Sequence, residues 1–275
     1  MSIPDTQGRT GPHGYSLPLS PSGTSAMLTA PPWHFSGDVV MVNYRVDPVS
    51  AERFLPPELT LGTDPGAAAA VFVQWQWCSA DRAELDNPAR NQFSEFLLLL
   101  SCQAGELSFA RCPYAWVDQP IPLMRGWVQG MPKQFGQIHQ SRRAEIGLGG
   151  PMLGPGGRFV GSLSMHGRRV AEAAVIARRA AHAPPALHTL PLVHTLHSPA
   201  WLPGAHPTAR LAVAQVTDIS YSQVWSGDAE LRLFDALDDD FGSLAPIEVG
   251  EGYVFSYAET LIGGQALRTS GEQAS

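Results

Sequence analysis

The chain has 275 residues, of which 44% are hydrophobic and 16% charged, and its formal net charge is −7. That length suits one large domain or two small ones, with ample chain to bury a core. An acidic balance with no basic stripe excludes a nucleic-acid partner, which needs cationic side chains to release phosphate counterions.

The 27 glycines and 24 prolines are spread along the chain, which predicts many turns between short elements and a β-rich fold. No charged segment followed by an apolar run stands near the beginning, and no apolar run reaches transmembrane length. Cys78, Cys102 and Cys112 are odd in number and lack metal-ligand spacing. The expectation is a cytoplasmic protein with three free thiols, no membrane partner and no metal.

Residues 1–30 are rich in Gly, Pro, Ser and Thr and predict a loosely held arm ahead of one domain over 31–265, with a flexible tail over 266–275. "DVVMVNYRV" from Asp38 is a β-branched run that predicts a strand. "DPVSAERFLPPEL" predicts a short helix, with Asp47 as N-cap, Pro48 in the first position and Pro56-Pro57 as the stop. "AVFVQWQW" alternates, with Val71, Val73, Trp75 and Trp77 on one face and Phe72, Gln74 and Gln76 on the other. In "NQFSEFLLLLSCQ", Phe93, Glu95, Leu97 and Leu99 share a face. "GSLSMHGRRV" predicts a hairpin turning at His166-Gly167; "ARLAVAQVTDISYSQVW" and "EGYVFSYAETL" predict further strands. "VAEAAVIARRAA" from Val170 is helix-like in composition. No internal repeat or domain boundary is visible.

The 18 basic residues are 17 arginines and one lysine, Lys133, in "GWVQGMPKQFG". A guanidinium stays protonated at ordinary pH, whereas a buried amine can be neutral and attack a carbonyl. The nearest neighbours, Trp127, Val128, Met131, Pro132 and Phe135, are apolar, and Lys133 is the only permanent charge between Arg125 and Arg142. Such a setting suits an imine-forming lysine. Glu95, just ahead of an apolar run, is a candidate proton shuttle. Histidines 182, 188, 194, 197 and 206 match no zinc spacing, and "GLGGPMLGPGG" lacks the ending of a phosphate loop.

With Lys133 in this setting, the chain resembles the acetoacetate decarboxylase superfamily, whose Schiff-base lysine follows a proline. "VNYRVDPVSAERFLPPEL", "FSEFLLLL", "YAWVDQPIPLMRGWVQGMPKQFG", "GSLSMHGRRVAEAAVIA" and "VWSGDAELRLFDA" carry the resemblance over residues 33–262. It implies a mostly β fold: a cone-shaped antiparallel β-barrel with a few short helices and the lysine inside. It also implies that 170–178 is a strand and that the protein is a homo-oligomer. Lys133 matches the Schiff-base lysine, and Glu95 the catalytic glutamate. The pattern is broken in three places. Gln134 replaces a second lysine, Val73 a second glutamate, and Gly37 and Asp38 stand where an arginine is expected. Gln129, four residues before the lysine, matches a glutamine of aldolase-dehydratase relatives, and Tyr257 or Tyr253 is a candidate pocket tyrosine. Phe93, Trp127, Met131 and Gln74 complete the expected substrate-binding set.

The expected activity is that of a lyase forming an imine between Lys133 and a keto acid. Aldol condensation with dehydration, or its retro-aldol reverse, leads. Decarboxylation of a β-keto acid such as acetoacetate is the alternative. A non-catalytic binding barrel and an imine-independent cyclase of specialised biosynthesis are rivals of another class. No metal or organic cofactor is expected, because the iminium itself is the electron sink.

Overall fold

Strand β1 (Trp33–Arg45) buries side chains on both faces: Val39 and Met41 enter one core, Val40 and Val42 another. This computed structural model describes residues 11–235 and 239–267, so the ends of the expected arm and tail, 1–10 and 268–275, lie outside the described residues. Helix α1 (Pro48–Glu52) is shorter than the sequence predicts, but Asp47 caps it by accepting from the Ser50 amide. After β2 (Thr60–Leu61), β3 (Ala67–Ser79) splits its alternation as expected, with Val71, Val73, Trp75 and Trp77 in the first core and Phe72 in the second. Helix α2 (Pro88–Asn91) leads into β4 (Gln92–Ala104), where the "FLLLL" run fills both cores in turn.

β5 (Leu107–Val117) is followed by a helix that the sequence reading did not foresee, α3 (Pro120–Gln129). Pro120 and Pro122 sit in its first turn, where amides have no intrahelical partner and proline costs nothing. Strands β6 (Lys133–Phe135), β7 (Gln137–Gln140), β8 (Arg158–Met165) and β9 (Arg168–Ala181) come next. His166 and Gly167 both take positive φ in the β8–β9 turn, and the helix-like run lies in β9, where pairing with β8 and β12 overrides propensity. Helix α4 (Ala186–Thr189) precedes β10 (Leu192–Ser198). The single strand expected over 209–225 is two, β11 (Thr208–Tyr221) and β12 (Val224–Leu233), before α5 (Asp239–Gly242) and β13 (Glu248–Ala266).

Hydrogen bonding runs β1–β3–β4–β5–β10–β11–β13, and β13 pairs back with β1 to close a ring of seven strands. The ring is not wholly antiparallel: β5 and β10 pair in parallel, as do β5 and β6. From β13 the sheet continues through β12, β9, β8 and β7 as a flap. The first core lies inside the ring, and Leu28 of the N-terminal arm is buried in it. The second lies between ring and flap. All three cysteines are buried and unpaired. Among the described residues no helix is long and apolar enough to cross a membrane.

Candidate active site

Lys133 opens β6, held in register beside Ala115 of β5. Helix α3 ends one turn earlier in a glycine close: Gly130 has φ +82, its amide bonds back to Trp127, and the Met131 amide reaches the Gly126 carbonyl. The chain then turns at Pro132, with the Lys133 amide donating to Met131 O. This brings the lysine stem across α3. A β-carbon on Gly126 would stand 2.4 Å from Lys133 Cδ, so only glycine permits that approach.

The Lys133 ammonium ends inside the ring, 2.6 Å from Glu95 Oε1, with both side chains buried. The other Glu95 oxygen accepts from the Trp75 indole at 2.8 Å. Burial lowers the Lys133 pKa most; the Glu95 charge opposes that, and the Arg125 charge adds to it. Gln134 faces the opposite side of β6, so the nearby cation that helps depress the amine comes from α3 instead.

Arg125 is 1% exposed. Its guanidinium lies 4.6 Å from the Phe35 ring, 4.7 Å from Trp77 and 5.2 Å from Phe93. Neither terminal nitrogen has a hydrogen-bond partner. Burial pushes its pKa down to about 9, leaving it cationic at neutral pH. A buried, unpaired fork of donors at a cavity wall is a ready carboxylate site. Arg125 thus supplies from α3 the cation that the sequence reading found missing at Gly37 and Asp38. Asp38 itself faces away and accepts from Ser256.

The cavity over the lysine has a volume of about 110 Å³. Of the expected residues, Phe93, Glu95, Gln129, Met131, Lys133 and Tyr257 line it. Three do not. Trp127 is 63% exposed and touches the lysine from outside, its indole donating to the Lys133 carbonyl at 2.9 Å. Gln74 has the wrong parity on β3 and lies against Asp38 and Gly37 in an outer cleft. Tyr253 shares the Tyr257 face but sits four residues along β13, roughly 13 Å away at strand rise, and donates to Glu251.

Two further lining groups escaped the sequence reading. Glu259 lines the cavity, half-buried, and accepts from the Tyr257 hydroxyl at 3.2 Å. Burial first, and then the Glu95 charge, raise its pKa to about 7. His188 stands edge-on to Phe255 and Tyr257, its Nδ1 unpartnered, and burial lowers its pKa to about 4. The strand alternation Tyr257, Glu259, Leu261 was the signal for Glu259. Nothing local marked Arg125 or His188.

The model of the acetoacetate decarboxylase family matches residues 16–269. The chain belongs to that family. Its fold is shared with the enduracididine biosynthesis enzyme MppR complexed with pyruvate, at 62% identity and TM-score 0.91, over 94% of this chain and 99% of that one. MppR complexed with the condensation product of pyruvate and imidazole 4-carboxaldehyde matches at 63% identity and TM-score 0.91, over 94% and 98%. An acetoacetate decarboxylase-like enzyme from Sphingomonas wittichii RW1 matches at 26% identity and TM-score 0.84, over 94% and 100%. No curated protein sequence matches the chain. The family membership and these relatives make the protein an enzyme with the acetoacetate decarboxylase-like fold.

Proposed function

We propose that this enzyme condenses a small keto acid, pyruvate or a close analogue, with an aldehyde through an imine on Lys133, in a specialised biosynthetic pathway. The observation that carries the reading is the buried amine of Lys133 between Glu95 and Arg125. The high identity to MppR, which was captured with pyruvate and with a pyruvate–aldehyde condensation product, supports it.

In this mechanism Arg125 takes the substrate carboxylate and sets the keto carbon against Nζ. The neutral amine adds to that carbon, and Glu95 moves protons at nitrogen and oxygen as water leaves. A proton is then lost from the adjacent methyl, giving the enamine. Glu259 suits this step, because an acid titrating near neutrality can both accept and return a proton. The enamine carbon attacks the aldehyde carbon, whose oxygen takes a proton. Loss of a second proton and of that hydroxyl as water leaves a conjugated iminium, and hydrolysis frees Lys133. The lysine nitrogen is the electron sink throughout, so the scheme needs no metal or organic cofactor.

The test is incubation with pyruvate in deuterated buffer, alone and with an aldehyde. Deuterium entering the methyl group and an unsaturated keto acid product support the reading. Acetone from acetoacetate, with neither of those outcomes, would instead make the enzyme a decarboxylase.

A further inference from the structure

Beside the lysine cavity lies a second one of about 290 Å³, which shares Gln129, Ala214 and Leu261 with it. Its floor is built by three strands. His194 on β10 pairs with Ala212 on β11, which pairs with Ala266 on β13, and Ala214 pairs with Gly264. Small residues at Ala212, Ala266 and Gly264 leave the space open. Trp33, 2% exposed, walls it on the side towards Arg125, and Tyr15 of the N-terminal arm meets Trp33 edge-on at 6.1 Å. Val128 and Leu196 are exposed at its rim.

His194 is the polar group that needs explaining. It is 2% exposed, lines this chamber, and neither ring nitrogen has a hydrogen-bond partner. Leaving a buried polar group unsatisfied is costly, so such a group marks a place where a partner arrives. Burial holds the ring neutral, with a pKa near 3, so one nitrogen donates and the other accepts.

The linings decide which reactant belongs where. The lysine cavity, at about 110 Å³, already holds the amine, the Glu95 carboxylate and the Arg125 fork that take the keto acid. The adjoining chamber is more than twice as large and is walled by Trp33, Leu196 and Leu261. We infer that this chamber binds the aldehyde reactant through an aromatic ring bearing a hydrogen-bonding group, with His194 as that group's partner. Gln129 and Leu261 then stand at the junction where the aldehyde carbon meets the enamine. The inference rests on the condensation reading above and adds to it where the second substrate sits and what chemistry it carries.

The test is to fill the chamber. Ala212→Phe places a ring beneath His194, and Gly264→Val is a milder filling, since a β-carbon there meets only the Val213 carbonyl at 3.6 Å. The probes are pyruvate with 4-hydroxybenzaldehyde and pyruvate with acetaldehyde, alongside deuterium exchange into the pyruvate methyl. We expect kcat/KM for 4-hydroxybenzaldehyde to fall about tenfold or more in both variants. Acetaldehyde condensation and methyl exchange should stay within about twofold, which also shows that the variants fold. A parallel loss with both aldehydes, or no loss with either, would overturn the assignment. A wild-type protein that exchanges no methyl proton sinks the lysine chemistry instead. The chamber is then read by the binding of unreactive 4-hydroxybenzyl alcohol, followed by tryptophan fluorescence. Tenfold weaker binding in Ala212→Phe supports the chamber, and unchanged binding contradicts it.

Discussion

Lys133 Nζ lies 2.6 Å from Glu95 Oε1 in the interior of the strand ring, and the second Glu95 oxygen is held by Trp75. Glu95 is therefore fixed in direction and works against burial to keep the amine basic. Glu95→Gln should cut condensation by about a hundredfold or more, the usual worth of a positioned proton-transfer group. The imine should still form, and its onset should move to lower pH, because the charge that raises the Lys133 pKa is gone. Borohydride trapping across pH, alongside kcat, checks both. A normal turnover rate would remove Glu95 from the mechanism.

Gly126→Ala tests the approach of α3 to the lysine. In an exposed helix this exchange usually stabilises by up to about 1 kcal/mol. Here the new methyl meets Lys133 Cδ at 2.4 Å, and overpacking should win, at about 1–3 kcal/mol of lost stability. Activity should fall further than stability does, since the displaced atoms lead directly to Nζ. Thermal unfolding and kcat/KM measured together decide it; an unchanged Tm with full activity would contradict the geometry.

Arg125→Met separates binding from folding. A charged hydrogen bond to the keto acid carboxylate is worth about 1.5–3 kcal/mol, so KM for pyruvate should rise roughly ten- to hundredfold. Replacing a buried, unpaired charge by an apolar side chain of similar length is often neutral or stabilising, so Tm should hold or rise. A lower Tm with unchanged KM would make the guanidinium a packing element of the aromatic box.

Glu259 gives a pH signature. Its folded pKa, near 7, stands above the ordinary carboxylate value, so the native state holds a proton that the unfolded chain releases. Its contribution is fully present below about pH 4 and is lost as pH rises towards 7. Relative to wild type, Glu259→Gln should therefore gain stability over that range, on the order of 2 kcal/mol. Denaturant midpoints in buffers at about pH 4.5, 6 and 7.5 read this directly. Parallel pH profiles for the two proteins would contradict the shift.

The parts of this site legible in the sequence are those with a local signal. Lys133 stood out as the only lysine, and the alternation of β4 put Glu95 on the inner face with Phe93 and Leu97. The Asp47 cap and the His166-Gly167 turn are likewise short-range, and they fell where the residues said. Arg125 was hidden because Pro120 and Pro122 disguise α3, and because its four aromatic neighbours come from three different strands. Gln74 and Tyr253 were misplaced for opposite reasons: Gln74 has the wrong parity, and Tyr253 the right parity too far along its strand. The parallel joins of β5 with β6 and β10 depend on crossovers that no periodicity in the chain encodes.

The central claim is the covalent bond at Lys133, and the chain makes the measurement unusually clean because it has one lysine. The protein is incubated with pyruvate, reduced with borohydride, digested and mapped by mass spectrometry. The account predicts one reduced pyruvate adduct, on Lys133, absent from Lys133→Ala, which also loses condensation. No adduct on Lys133, together with undiminished turnover in Lys133→Ala, would contradict it.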